Sequence, residues 1–235
     1  MSAPAGRMPR VGLFGGTFDP VHNGHLRAAA AAARRFRLER VLFIPSAIPP
    51  HKRTAEMAEA EDRMAMVELA VRGRRRYVAS PIEVEAGSTS YAVITLEKVR
   101  REEPGARLFF ILGSDAFSEI ETWREWRRVL DQCRFIVVTR PGTRLESARR
   151  TLDPSSGPAI AEVGPGVRLD EAFLEAHRIF LLPIDALPVS STDIRRRVRE
   201  GLSLKGLVPW AVECYIHRKN LYRPGSSGKE TGRER

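Results

Sequence analysis

Short apolar runs alternate with amphipathic stretches along most of the 235-residue chain. Residues 11–14, 41–44, 107–112, 135–139 and 179–182 are mostly aliphatic and aromatic, the pattern of strands buried on both faces. Residues 77–82 are read as one more strand. Residues 24–36 are rich in Ala and carry Leu26 and Phe36, a strong helix-forming composition. Residues 59–71 place Met64, Val67 and Val71 at helical spacing. Helices are also expected over residues 91–101, 171–176, 191–199 and 209–219, with a Trp-containing helical stretch before residue 135. Pro49-Pro50 makes residues 48–54 an extended loop. The Gly and Pro content of residues 141–166 marks a long connection, either a lid or a surface crossing.

Strands alternating with helices predict an α/β fold: a doubly wound (Rossmann-like) parallel sheet with helices on both faces. The expected domain spans residues 11–222, between a flexible N-terminus at 1–10 and a disordered basic tail at 223–235. In such a sheet, ligands bind beyond the carboxyl ends of the strands, where the strand order reverses. That rule brings residues 15–25, 45–53, 113–115 and 190–195 to one crevice.

Those four segments carry the candidate chemistry. Gly15-Gly16-Thr17-Phe18-Asp19-Pro20-Val21-His22-Asn23-Gly24-His25 follows the first strand and opens the first helix, where free backbone N–H groups favour an anion. It is neither a GxGxxG dinucleotide turn nor a P-loop. His22 and His25 share one face of the helix start. Two imidazoles beside free amides suit the oxygens of a transferring phosphoryl group. The competing reading is a tight turn with capping histidines. A zinc site from His22, His25 and His51 lacks a cysteine or carboxylate to complete it, so no metal ligand is assigned. Lys52, in Pro49-Pro50-His51-Lys52-Arg53, would be a cationic arm for a polyphosphate. Asp115, in Gly113-Ser114-Asp115, either binds ribose hydroxyls, helps orient a metal-bound phosphate, or caps the next helix. Ser190-Ser191-Thr192-Asp193-Ile194-Arg195 reads as a helix cap whose amides face an anion, with Arg195 in the first turn.

Composition is ordinary except for charge: 39 Lys and Arg against 29 Asp and Glu give a net +10. The excess sits in clusters such as Arg34, Arg35, Arg37 and Arg40, or Arg72, Arg74, Arg75 and Arg76, as expected of solvated faces and helix ends. No zinc-finger spacing, heptad or RNP-type strand accompanies it, so no nucleic-acid partner is expected. Cys133 and Cys214 belong to no CxxC pattern and are both expected to be buried thiols in a reducing compartment. No apolar run approaches the roughly 18 residues of a membrane span, and the first ten residues do not read as a signal peptide. A cytoplasmic protein with no membrane partner is expected. The sequence carries no sign of an oligomeric state.

Together the four segments resemble the HxGH nucleotidyltransferase superfamily, and in particular the bacterial nicotinate-nucleotide adenylyltransferase family. The likeness rests on the Gly15–Leu26 block, on Ile44-Pro45 with Pro49-Pro50-His51-Lys52, and on Ser90-Tyr91, Gly113-Ser114-Asp115, Thr122-Trp123, Arg140-Pro141-Gly142 and the Ser190–Arg195 block. It spans about residues 11–222. The resemblance implies transfer of the adenylyl group of ATP to nicotinate mononucleotide, giving deamido-NAD and pyrophosphate in NAD biosynthesis. Attack would be direct and in line, without a covalent intermediate.

By the same resemblance, His22, His25, Lys52 and Arg195 are the catalytic set. Gly15, Gly16, Thr17, Phe18, Asp115, Ser191 and Thr192 would bind ATP. Trp123 would stack on the pyridinium ring, with Tyr91, Ala92 and Arg124 around its carboxylate. Mg²⁺ would arrive with ATP, held by phosphates and water. Ala92 and Arg124 stand where family members carry Thr and Tyr, and Arg124 adds a charge that would favour the acid. The alternatives are an adenylyltransferase for nicotinamide mononucleotide or another phosphorylated acceptor, and a nucleotide- or RNA-binding module on the same fold.

Overall fold

A computed structural model describes residues 8–49, 57–139, 159–185 and 187–223. Seven strands, β1 (Arg10–Gly16), β2 (Arg40–Pro45), β3 (Tyr77–Ala79), β4 (Arg107–Gly113), β5 (Arg134–Thr139), β6 (Ile160–Glu162) and β7 (Ile179–Pro183), form one sheet. Its order is β3-β2-β1-β4-β5-β7-β6, and every neighbouring pair is parallel. The strands therefore all end on the same edge, and the order reverses between β1 and β4. The expected doubly wound architecture is the one observed.

Alternate residues of each strand point to opposite faces, so the sheet feeds two apolar layers. Phe109 and Ile111 of β4, Ile136 of β5 and Phe180 of β7 enter one layer. Helices α1 (Asn23–Phe36), α2 (Ala60–Val71), α7 (Ser191–Arg199) and α8 (Trp210–Arg218) cover it with residues such as Phe36, Met66, Ile194 and Ile216. Phe110, Phe135 and Ile179 enter the other layer, under α3 (Ala92–Glu102) and α5 (Trp126–Gln132). Gly12 lets the chain between α1 and β2 close on the sheet. A Cβ there would lie 2.8 Å from Leu38 Cδ1 and 2.9 Å from Ile111 Cδ1.

Several expectations change. The strand read at 77–82 stops at Ala79, because Pro81 has no N–H to continue the ladder. Within the connection read as loop, Ile160–Glu162 is an edge strand on β7; three residues between Gly- and Pro-rich segments carry no periodic signal. The Trp-containing stretch is broken into α4 (Ser114–Ser118), a single 3-10 turn at Ile120–Thr122, and α5. The break before α5 is at Glu125, whose φ of 52° is left-handed. In α2 the buried face carries Arg63, Met66, Val67 and Ala70, while Met64 is only half-buried. Arg10, assigned to the flexible N-terminus, is the buried first residue of β1 and bonds the Phe36 carbonyl. Cys133 is buried as expected, but Cys214 is exposed, on the solvent face of α8 opposite Val212 and Ile216. Between β6 and β7 lies α6 (Glu171–Ala176), where a short helix was expected. Among the described residues no helix is long and apolar enough to cross a membrane.

Candidate active site

A cavity of about 670 Å³ opens at the carboxyl edge of the sheet, at the β1–β4 reversal. The chain leaves β1 through Gly15 and Gly16, which pass close to aromatic rings. A Cβ on either would lie 3.3 Å from a ring carbon, of Phe110 for Gly15 and of Phe18 for Gly16. Phe18 takes a left-handed φ of 50° and is buried. The Asp19–Pro20 peptide is cis, and α1 then begins at the cap residue His22.

The two histidines bond each other's backbone. His22 Nδ1 accepts from the His25 amide at 3.3 Å, and His25 Nδ1 accepts from the His22 amide at 3.2 Å. This is the geometry of a capping box, with imidazoles in place of the usual hydroxyl and carboxylate. The rings stack with centroids 3.6 Å apart and planes 17° from parallel. Gly24 makes room, since a Cβ there would lie 3.0 Å from both His22 Nδ1 and Val189 Cγ1. An Nδ1 that accepts leaves the proton of the neutral ring on Nε2. Burial pushes the His22 pKa down to about 4. Burial, and then the neighbouring His22, hold His25 well below the ordinary range. Both rings line the cavity as neutral donors. The capping reading holds for the Nδ1 atoms, and it leaves the Nε2 atoms unused by the helix start.

Behind this turn, Asp19 is a buried carboxylate with three donors. Its Oδ1 accepts from the Ala58 amide at 3.1 Å and the Tyr222 hydroxyl at 2.8 Å. Its Oδ2 lies 3.4 Å from the Arg195 guanidinium. Burial raises its pKa against the opposing pull of these neighbours. Arg63, fully buried, donates to the carbonyls of Thr17, Ser46, Ala47 and Ala58. It thus ties the loops that follow β1 and β2 to the segment entering α2.

The opposite wall comes from β4 and α7. Gly113, Ser114 and Asp115 line the cavity. Gly113 occupies the cap position of α4, with no side-chain cap bond, so Asp115 does not serve as the cap. Ser190, not Ser191, caps α7 by accepting from the Asp193 amide at 3.1 Å. Ser191 Oγ donates to the Pro20 carbonyl at 2.9 Å, pinning α7 to the β1 turn. Arg195 points inward while Arg196 and Arg197 pair outward with Asp193. One basic run thus holds two kinds of arginine.

Gly15, Gly16, Thr17, Phe18, His22, His25, Asp115, Ser191, Thr192 and Arg195 are brought together at this cavity. Tyr91, Ala92, Trp123 and Arg124 are gathered elsewhere, against the apolar layer on the other side of β4. Trp123 meets Phe110 edge-on, with centroids 5.7 Å apart. The Arg124 guanidinium lies over the Tyr91 ring at 4.9 Å. Phe110, which also touches the Cβ position of Gly15, stands between the two groups. Lys52 lies outside the described residues, as do Pro50, His51 and the Arg140-Pro141-Gly142 motif. Asp19, Arg63 and Tyr222 were not singled out from sequence. Arg63 had a signal, a cation at i, i+3, i+4 and i+7 spacing with Met66, Val67 and Ala70. Tyr222 had none.

With this geometry in view, comparison with known proteins identifies the family. The family model described as cytidylyltransferase-like matches residues 13–197. A protein of Desulfatibacillum aliphaticivorans named "Probable nicotinate-nucleotide adenylyltransferase" is 43% identical over 216 residues, covering 91% of this chain and 99% of that one. One of the same name from Moorella thermoacetica is 42% identical, over 94% of this chain and 95% of its own. The solved nicotinic acid mononucleotide adenylyltransferase of Plasmodium falciparum shares the fold, with a TM-score of 0.65 at 17% identity over 91% of this chain and 97% of that one. The two histidines, the α7 arginine and the β1 turn thus belong to a chain that is a member of the nicotinate-nucleotide adenylyltransferase family, within the cytidylyltransferase-like nucleotidyltransferases.

Proposed function

We propose that the protein joins ATP and nicotinate mononucleotide to form deamido-NAD and pyrophosphate. The observation that carries this reading is the pair of stacked, neutral imidazoles whose Nδ1 atoms are used by the helix start. Their remaining N–H groups, with Arg195, make a cavity wall of fixed donors suited to phosphate oxygens. Curated relatives of the same name, matched over most of the chain, support the choice of acceptor.

In this reaction a phosphate oxygen of nicotinate mononucleotide forms a bond to the α-phosphorus of ATP. The bond from that phosphorus to the bridging oxygen breaks, and pyrophosphate leaves with the electron pair. The attacking oxygen is already anionic, so no general base is needed. Catalysis then consists of alignment and charge stabilisation. His25 and His22 would donate to the oxygens around the reacting phosphorus, and neutral rings do so without surrendering a proton. Arg195 would hold the departing phosphates, with Lys52 as its partner. Gly15, Gly16, Thr17 and Phe18 would receive the nucleotide along the β1 turn, supported by Ser191 and Thr192, with Asp115 on the ribose side.

The donor set fits an anion that brings its own cation. Among the described residues no three His, Cys, Asp or Glu side chains converge, and the oxygens of Asp19 are engaged by Ala58, Tyr222 and Arg195. Mg²⁺ would ride on the ATP phosphates and water, neutralising charge there. Trp123 would stack on the pyridinium ring, and Arg124 beside Tyr91 would add a cation for the nicotinate carboxylate.

Pyrophosphate release with ATP and Mg²⁺, supplied separately with nicotinate and nicotinamide mononucleotide, tests the proposal. Release is expected with the acid and much less with the amide. His25→Ala should lower turnover by about 10²–10³, the usual cost of one transition-state donor. Equal release with both acceptors would remove the role given to Arg124. No release with either would overturn the acceptor assignment.

A further inference from the structure

Beyond α8 the chain returns to the site. Tyr222 takes a left-handed φ of 64° and is buried. Its hydroxyl donates to Asp19 Oδ1 at 2.8 Å, across 203 residues of sequence. The other oxygen of that carboxylate faces Arg195, whose Nη1 is 3.4 Å from Oδ2 and donates to the Asp19 carbonyl at 2.7 Å. Nη2 of Arg195 reaches Thr192 Oγ1 at 3.4 Å. Its Nε is buried and has no partner among the described residues. An unmet guanidinium N–H on a cavity-lining residue is a group that a bound anion would complete.

We propose that Tyr222 is a positioning residue for the nucleotide: by holding Asp19, its hydroxyl sets Arg195 in place for the phosphates. Two donors reach Asp19 Oδ1, the Tyr222 hydroxyl and the Ala58 amide. Together they fix the plane of the carboxylate and with it the direction of Oδ2. With the amide alone, that plane is free to turn and Arg195 loses its register. Among the described residues, the charged or titratable groups acting on Asp19 are Tyr222, Arg195 and the buried Arg63. The inference rests on the adenylyl-transfer reading only in taking the anion to be the triphosphate of ATP.

The test measures binding of ATP and of AMP to the full chain by calorimetry, without acceptor. Tyr222→Phe is expected to weaken ATP about tenfold, the scale of one hydrogen bond to a charged group. It should leave AMP, which lacks the phosphates assigned to Arg195, within about twofold. A merely structural role would weaken both alike. In an Arg195→Ala background the same change should cost ATP less than about twofold, because the two residues act as one unit. Asp19→Asn retains an acceptor for Ala58 and Tyr222 but removes the charge beside Arg195, and it should also weaken ATP selectively. Equal losses for ATP and AMP, a full loss in the Arg195→Ala background, or unchanged ATP affinity in Tyr222→Phe would each overturn the proposal. Since no acceptor is present, failure to transfer to nicotinate mononucleotide would remove the functional reading while leaving this one standing.

Discussion

His22 does two tasks with two nitrogens. Nδ1 accepts from the His25 amide, which also reaches the His22 carbonyl, and the ring lines the cavity. Burial has a measurable result for stability. The unfolded chain binds a proton on this ring near pH 6.5, whereas the folded ring resists until about pH 4. Between those values the unfolded state holds more protons, so stability falls as the solution is acidified. From His22 alone, the loss between pH 7 and pH 5 should be about 2 kcal/mol, and His25 shifts in the same direction. Urea unfolding at the two pH values measures it, with His22→Gln as the reference that should reduce the difference by His22's share and leave that of His25. A wild-type midpoint that does not move would show that the ring is not the group taking up the proton. The sequence made both histidines visible as a pair at a strand-to-helix junction. It did not show which nitrogens the backbone takes, because that depends on how the turn at Phe18 and Pro20 aims the rings.

The strands of the sheet were legible because a parallel strand covered on both faces must be apolar at nearly every position. Where that condition fails, the reading fails too: β6 is an edge strand of three residues, and β3 ends where Pro81 interrupts pairing. Helix boundaries were less visible where a single backbone angle decides them, as at Glu125. Among the described glycines, a Cβ would meet its nearest neighbours at Gly12, where β1 faces Leu38 and Ile111. Gly12→Ala forces a methyl group into that contact and is expected to cost about 1–3 kcal/mol. The midpoint of thermal unfolding should drop while acceptor preference stays unchanged. An unchanged midpoint would mean that the Leu38 connection can move aside. The tryptophan group, at the start of α3 and in the segment before α5, illustrates a different limit. Sequence motifs named its members, but only the sheet separates them from the phosphate cavity by the width of Phe110.

At the scale of the whole molecule, the site is held by two buried charges that join distant parts of the chain. Arg63 donates to carbonyls of the β1–α1 turn and of both ends of the β2–α2 connection. Arg63→Leu would leave those carbonyls unpartnered, with an expected loss of about 3–5 kcal/mol. Chemical denaturation would show it, and a loss below about 1 kcal/mol would mean that water replaces the guanidinium. Arg63→Lys should recover only part, since one ammonium cannot span the same fan of acceptors. Arg63 belongs to no motif, and Asp19 lies in one that does not reveal its role, because each acts across the fold. The bond from Tyr222 to Asp19 also orders events in time. During synthesis the β1 turn emerges early, its sheet partners β2 and β4 follow, and β5 and β7 come later. On the proposed reading, the Arg195 guanidinium cannot be locked for the triphosphate until residue 222 has emerged. A ribosome-bound chain stalled before that point would carry most of the sheet and both histidines, yet bind ATP no better than AMP. Chains stalled before and after residue 222, probed with a fluorescent ATP analogue, should differ sharply in nucleotide retention. On that reading, the growing polypeptide would stay out of the cell's nucleotide traffic until the segment that follows α8 is made.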